Sequence, residues 1–559
     1  MESSGQDVHA RPETGARATK WLCWATLLAA IAFAAFVRVR LLDIPLERDE
    51  GEYAYAGQLI LQGVPPYKLA YNMKLPGAYG AYALMMALFG QTSAGVHLGL
   101  LAVNAAAIVL MFLIGRRVYD ARAGAIAALA YSILAVSPTV LGTSAHATHF
   151  IVLAALGGVL FLLKALDGGS RVTLFWSGIC LGLAFLMKQP GALFAIFAVC
   201  HLSWVLLRER RQPVGRVVGQ AALLAGAATI PFLLVCVVLA ASGVFGKFWF
   251  WTFTYAWQYA TRVPFGDGLQ LLTEELGAIA SPAAGLFAFA VLGLSAIAWD
   301  RKARTAGAFL GGFFVFSFLG VCPGMYFRAH YFVVWLPSLA LLAGVGASAL
   351  YGVLGASRTL RSVVVLPLLL FAVAWGYSLS RHSEFFFEMA PDDACRAMYK
   401  TNPFPESIEL ARHIRYHSRP GDTVAVIGSE PQIPFYACRR SATGCIYTYG
   451  LVEKHPYAHQ MQLEMIEEIE RARPRFLVHV NTRTSWLLPR DADMTLLNWS
   501  RLYESERYET VGLAERTGDG RTVYYWGREA ARRRPHSTAS VALLEAKDTA
   551  RELALLWGE

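Results

Sequence analysis

A chain of 559 residues that is 55% apolar and 16% charged, with a mean hydropathy of +0.41, is too apolar for an ordinary soluble protein, in which about a quarter of residues are charged. Its formal net charge of +10 is spread over short loops between apolar runs. That pattern reads as membrane topology and excludes a concentrated nucleic-acid-binding surface.

The first apolar run, Trp21 to Phe36, lacks a small-residue cleavage site and continues as membrane, which predicts an uncleaved anchor behind a cytoplasmic N-terminus at 1–19. About eleven stretches have the length a bilayer core requires. They lie near 20–38, 95–115, 121–139, 149–166, 172–187, 191–207, 217–241, 279–298, 304–321, 331–351 and 361–379. Basic clusters recur between them: Arg116, Arg117 and Arg122; Lys164 and Arg171; Arg208 to Arg216; Arg301, Lys302 and Arg304; Arg358 and Arg361. With the N-terminus inside, all of these fall on the cytoplasmic side, and an odd number of spans leaves the C-terminus outside.

Two outer loops, 39–94 and 242–278, are long. In the first, Asp49 to Gly63 predicts a helix lying on the membrane surface, with acids in its first turn and a glycine after its last periodic residue. The apolar stretch 76–91 is read as a second outer-surface helix, because a span there would invert every later loop. The second loop packs Phe248, Trp249, Phe250, Trp251, Phe253, Tyr255, Trp257 and Tyr259 together, a pattern suited to an interfacial belt, to sugar stacking or to covering a lipid chain.

From about residue 381 an α/β alternation begins: a helix near Glu406–His417, a strand Thr423–Ile427, a helix Ala458–Ala472, a strand Phe476–Val480 and a closing strand Val523–Trp526. This predicts an extracytoplasmic α/β domain over 381–527, followed by a basic, mobile tail at 528–559. Five cysteines lie in or at apolar runs as small buried residues. Cys438 and Cys445 could bridge in an oxidising compartment, although spacing alone does not establish it.

The cations that violate the charge pattern by falling on the outer side include Arg48, Lys74, Lys188 and Arg328. Beside Arg48 runs Asp49-Glu50-Gly51-Glu52. Each feature has a plain structural explanation: Asp49 sits near a helix N-cap and Lys74 at a bilayer edge where lysines snorkel. Lys188, between two spans with no acid within ten residues, is by default a functional group. Arg328 and His330 open another span from the same face. Three cations at one membrane face suit a phosphate or pyrophosphate headgroup. With a carboxylate able to take a proton, they make a displacement site.

The Asp49-Glu50 pair after the first span, Lys74-Leu75-Pro76, Phe185 to Gly191, and Arg328-Ala329-His330-Tyr331-Phe332 running into Leu336-Pro337 resemble the glycosyltransferase C superfamily. The branch most resembled contains protein O-mannosyltransferases and the lipid A aminoarabinose transferase. The resemblance covers residues 20–380. The segments Gly428–Ile433 and Arg439–Thr443 look like a C-terminal domain found in a bacterial subgroup of the same branch. It implies a polytopic helical fold, an inner-membrane location, a polyprenyl-phosphate sugar donor, an acceptor that is a lipid, glycan or protein, inversion at the anomeric carbon, and no cofactor or metal.

By the same match Asp49 is the general base, Glu50 orients it or binds the acceptor, and Lys74, Lys188 and Arg328, with His330, receive the donor phosphate. Glu52, Tyr55, His146, His149 and Tyr331 complete the expected substrate-binding set. One departure stands out. The outer loop Thr143 to Phe150, where relatives often carry a second acid, holds His146 and His149 and no carboxylate. Their spacing allows a shared helical face, but no third metal ligand is evident. The alternative function, a transporter or flippase of lipid-linked glycans, calls for repeated halves and mid-span charges, and the sequence has neither.

Overall fold

The computed structural model describes residues 12–357, 359–518, 520–535 and 537–547. Residues 1–11 of the expected cytoplasmic segment and 548–559 of the expected tail lie outside the described residues. Among those described, eight helices are long and apolar enough to cross a membrane, and three further apolar helices are shorter, at Ala121–Leu134, Arg171–Met187 and Gly307–Leu319. Each of the eleven predicted spans coincides with one of these helices, so the protein is a multi-pass helical membrane protein. One boundary differs widely. The rod Phe265–Trp299 starts inside the expected outer loop, because the 3₁₀ turn Ser281–Ala283 joins two helices without breaking the apolar run.

The helices that position the site are α1 (Pro12–Arg40), α2 (Arg48–Leu61), α3 (Pro76–Phe89), α4 (Ser93–Val118), α5 (Ala121–Leu134), α6 (Ala147–Gly168) and α7 (Arg171–Met187). Helix α5 is short and rich in alanine, and almost all of its residues from Ala123 onward are buried. Small residues let its neighbours approach closely: a Cβ on Gly124 would lie 2.4 Å from the Phe112 carbonyl of α4. At the end of α1, buried Arg38 donates to the Gly142 and Ala135 carbonyls at 2.8 and 3.3 Å, which fixes the stretch leading into His146.

Helix α2 corrects the expectation of a surface helix. Arg48 and every residue from Glu50 to Leu59 are buried, because α3 covers one side and the C-terminal domain the other. The glycines make this possible: a Cβ on Gly51 would lie 2.7 Å from Gln432, and one on Gly57 2.9 Å from the Ala83 backbone.

The C-terminal domain is built on a mixed sheet of β1 (Thr423–Ile427), β2 (Arg440–Ser441), β3 (Phe476–Asn481), β4 (Tyr508–Arg516), β5 (Thr522–Trp526) and β6 (Ser540–Ala546), in the order β2-β1-β3-β6-β4-β5. Strand β1 pairs in parallel with β2 and β3, and the other pairings are antiparallel. Val424 and Val426 face the helix Phe404–His417, whereas Ala425 and Ile427 face the helix Ala458–Ala472. Burial on both faces explains why these strands read as unbroken apolar runs.

One expectation fails here, and one open question is answered. The stretch from 528 is not simply a tail, since β6 inserts between β3 and β4 and the apolar Val541, Leu543 and Leu544 are buried in the sheet. Cys438 and Cys445 are both free, the first exposed and the second buried, since β2 and the turn held by Glu468 separate them.

Candidate active site

A cavity of about 640 Å³ opens where α2, the Asn72–Lys74 loop, the Lys188–Pro190 turn, the Arg328–Tyr331 segment and the C-terminal domain meet. Helix α2 enters it through its first turn. Glu47 is the N-cap: its carboxylate accepts from the Glu50 N–H at 3.0 Å, while the Glu50 carboxylate accepts from the Glu47 N–H at 3.2 Å. This capping box leaves Asp49 without any capping duty. The carboxylate of Asp49, 16% exposed, projects into the cavity.

Four groups surround it. Lys74 Nζ lies 3.1 Å from Oδ2, the Tyr447 hydroxyl donates to Oδ1 at 2.7 Å, and His330 Nε2 and His146 Nδ1 stand 3.9 and 4.0 Å from Oδ2. Burial raises the Asp49 carboxyl, but Lys74 together with His330, His146 and Lys188 outweighs it and holds the group well below the usual carboxylate range.

The other acids of the motif do different work. Glu50, expected beside Asp49, is fully buried and lies outside the cavity lining. It accepts from the Ala145 N–H at 2.5 Å and faces His97 Nε2 at 3.1 Å, so it ties the His146 loop to α4. Glu52 accepts from Tyr79 and Asn72 at 2.6 and 2.7 Å, and burial pushes its pKa up to about 7. Tyr55 accepts from the Ser441 N–H at 2.8 Å. Neither Glu52 nor Tyr55 lines the cavity.

The three expected cations all line it. Lys188 follows the last residue of α7, with its ammonium 4.0 Å from the centre of the Tyr331 ring. Burial, and then the neighbouring Lys74, lower its pKa to about 7. Gly77 brings these two lysines together, because a Cβ there would lie 2.4 Å from the Leu186 carbonyl. Arg328 is exposed; Tyr259 beside it favours its charged form and raises its pKa. Among the described residues, neither Lys188 nor Arg328 makes an ion pair within 4.0 Å.

His330 does not join the cations. It stacks on His146 with ring centres 4.1 Å apart and planes 10° from parallel. Burial lowers the His146 pKa to about 4 and takes that of His330 well below its ordinary value, so both rings are neutral near pH 7. Asp49, His146 and His330 bring three potential metal ligands within 4.8 Å of one another. Lys74 already contacts Asp49 Oδ2, so a metal held by that oxygen would compete with the ammonium. His149 does not pair with His146, and its Nδ1 lies 3.3 Å from Asn104 Nδ2.

Residues not singled out in the sequence form the opposite wall: Tyr399, Asn402, Phe404, Tyr447 and Tyr449. Arg48 anchors this wall. Its guanidinium pairs with Glu430 at 2.5 Å, donates to the Tyr449 hydroxyl at 2.7 Å and to Asn402 Oδ1 at 3.1 Å, and bonds the Ser429 carbonyl. Ser429 and Glu430 follow β1, at the carboxyl end of the parallel strands where open α/β sheets usually bind ligands. Here the occupant is an arginine of the membrane domain. The aromatic loop divides its duties: Phe248 and Trp251 are buried, whereas Trp249 and Trp257 are 46% and 69% exposed.

The architecture is that of the glycosyltransferase C fold. ArnT from Cupriavidus metallidurans bound to undecaprenyl phosphate superposes with a TM-score of 0.55 at 18% identity, over 83% of this chain and 93% of that one. The archaeal oligosaccharyltransferase AglB from Archaeoglobus fulgidus, in complex with an inhibitory peptide and a dolichol-phosphate, gives 0.52 at 14% identity, over 91% and 75%. Within that fold, residues 76–240 match the family model for dolichyl-phosphate-mannose-protein mannosyltransferase. The undecaprenyl phosphate-alpha-4-amino-4-deoxy-L-arabinose arabinosyl transferases of Pseudomonas paraeruginosa and Pseudomonas aeruginosa are each 32% identical, over 41% and 40% of this chain. The match spans 42% of the length of these relatives. The chain thus resembles the mannosyltransferase and aminoarabinose transferase branch.

Proposed function

We propose that this protein transfers a sugar from a polyprenyl-phosphate-linked donor to an acceptor hydroxyl at the outer face of the bacterial inner membrane, with inversion at the anomeric carbon. The observation that carries this reading is one cavity in which the Asp49 carboxylate, free of the capping role that Glu47 fills beside it, pairs with Lys74 and shares the lining with Lys188 and Arg328, while Glu275 also lines the cavity. Cations without carboxylate partners suit a leaving phosphate, whose charge grows as the sugar–phosphate bond breaks. Asp49 is the base for the acceptor hydroxyl. The names of the similar proteins, which mention undecaprenyl phosphate and dolichol-phosphate, support a lipid-phosphate donor. The exposed Trp257 and the cavity residues Trp251 and Phe253 offer an apolar lining for its prenyl chain.

In this reading His330 and His146 are neutral packing around Asp49, Glu50 positions the loop behind it, and the C-terminal domain lies outside the cytoplasm. Cells lacking the protein should accumulate the lipid-linked sugar donor, and a plasmid copy should clear it. A plasmid copy carrying Asp49→Asn should not. No accumulated lipid-linked sugar in the deletion strain would sink the proposal.

A further inference from the structure

We infer that the Asp49–Lys74 ion pair is the resting state of the site, and that the donor phosphate takes Lys74 from Asp49 as it binds, releasing the base only when a donor is present. This rests on the transfer reading above and adds an order of events to it. Both oxygens of Asp49 are engaged by the protein's own groups: Oδ1 by the Tyr447 hydroxyl at 2.7 Å and Oδ2 by Lys74 at 3.1 Å, with His330 and His146 at 3.9 and 4.0 Å. The two contacts take one lone pair on each oxygen, and the ammonium beside Oδ2 lowers the basicity of those that remain.

Lys74 is also the odd member of the cation set. Lys188 and Arg328 have no carboxylate partner among the described residues, whereas Lys74 does. The backbone beneath it is fixed, since Tyr67 donates to the Lys74 carbonyl at 2.7 Å and Gln189 to the Met73 carbonyl at 3.2 Å. Its flexible four-carbon arm is therefore the part free to swing. A phosphate gathered by Lys188 and Arg328 brings a competing anion to that arm. Once Lys74 turns to it, Tyr447 still holds Oδ1, and Oδ2 faces the acceptor.

The step then balances. The acceptor oxygen bonds to the anomeric carbon, its proton passes to Asp49 Oδ2, and the carbon–oxygen bond to phosphate breaks. The electron pair leaves with the polyprenyl phosphate, whose charge rests on the three cations. Tyr447 is thereby a positioning residue contributed by the C-terminal domain.

The exchange is tested by binding of undecaprenyl phosphate to the purified full-length protein in detergent, which needs neither the sugar nor the acceptor. Lys74→Met should weaken binding about tenfold, while Asp49→Asn should strengthen it about tenfold, because Lys74 no longer has to be taken from a partner. In the Lys74→Met background the gain from Asp49→Asn should nearly vanish. A gain that persists or grows there would mean simple repulsion between Asp49 and phosphate and would overturn the exchange, as would unchanged or weaker binding by Asp49→Asn. Asp49→Ser should reproduce the gain if Asp49→Asn fails to fold. If the wild-type protein binds no undecaprenyl phosphate, the transfer reading falls together with the exchange; if it binds and only the coupling is missing, the exchange alone falls.

Discussion

The two walls of the cavity carry their positive charge in opposite states. On the wall shared with the C-terminal domain, Arg48 is saturated by a carboxylate, a carbonyl, an amide oxygen and a phenol. On the wall built by the membrane helices, Lys188 and Arg328 face the cavity without carboxylates. A buried cation held by four such partners is scaffold, and removing it leaves an unpaired partner. A cation kept unpaired has unspent capacity for a ligand. Neighbouring Asp49 and Glu50 repeat the contrast within one helical turn: Glu50 faces His97 and a backbone N–H, while Asp49 faces the cavity.

Four experiments put this contrast to the test. The largest effect belongs to Asp49→Asn. General-base help is typically worth 10²–10⁴-fold, so transfer should nearly cease with the melting temperature unchanged. Glu50→Gln should instead lower the melting temperature and leave more turnover. Equal loss in both variants would erase the distinction between them. Next comes Arg48→Met, which strands Glu430 in the interior at a cost of about 3–5 kcal/mol. It should show as a large loss of thermal stability, partly restored by adding Glu430→Met.

Neutralising Lys188 or Arg328 should have the opposite profile: normal stability and catalytic efficiency down roughly ten- to hundred-fold, the worth of a charge-assisted contact. Lys188 adds a pH signature. Its pKa, lowered to about 7, means that the ammonium is present below pH 7 and lost as pH rises through it. Donor kcat/KM should therefore decline above pH 7 in the wild type, and hold to higher pH in Lys188→Arg. The smallest effect is expected of Tyr447→Phe, which removes one hydroxyl from Asp49. Its kcat should fall about tenfold with donor KM and melting temperature unchanged. In the Asp49→Asn background the same change should do nothing more.

The sequence revealed the apolar helices and three cavity cations because hydropathy and insertion bias act locally on short windows. Asp49 was legible as an acid beside them. The C-terminal wall was not, since Tyr447 and Asn402 reach Asp49 and Arg48 across hundreds of residues and carry no pattern beyond being polar. Glu47 escaped notice because a glutamate is an uncommon N-cap, and Asp49 was credited with a capping role that Glu47 fills. Glu50, Glu52 and Tyr55 resemble site residues by adjacency, yet Glu50 and Tyr55 lie about 100° and 120° around the helix from Asp49, and Glu52, one turn on, is held by Tyr79 and Asn72 instead. Strand β6 was missed because a basic run, Arg532-Arg533-Arg534, precedes it and suggested a solvated tail.

That strand sets a timetable for biogenesis. Of the six strands it is the last to be synthesised, yet it lies in the middle of the sheet, between β3 and β4. The parallel half of the sheet and the antiparallel half therefore cannot join until residues 540–546 have emerged. Glu430 and Tyr447 belong to that sheet's domain, while their partners Arg48 and Asp49 are made hundreds of residues earlier. The first turn of α2 thus waits until β6 emerges for its pocket to close, and a ribosome that stalls before β6 leaves the membrane helices without an assembled site.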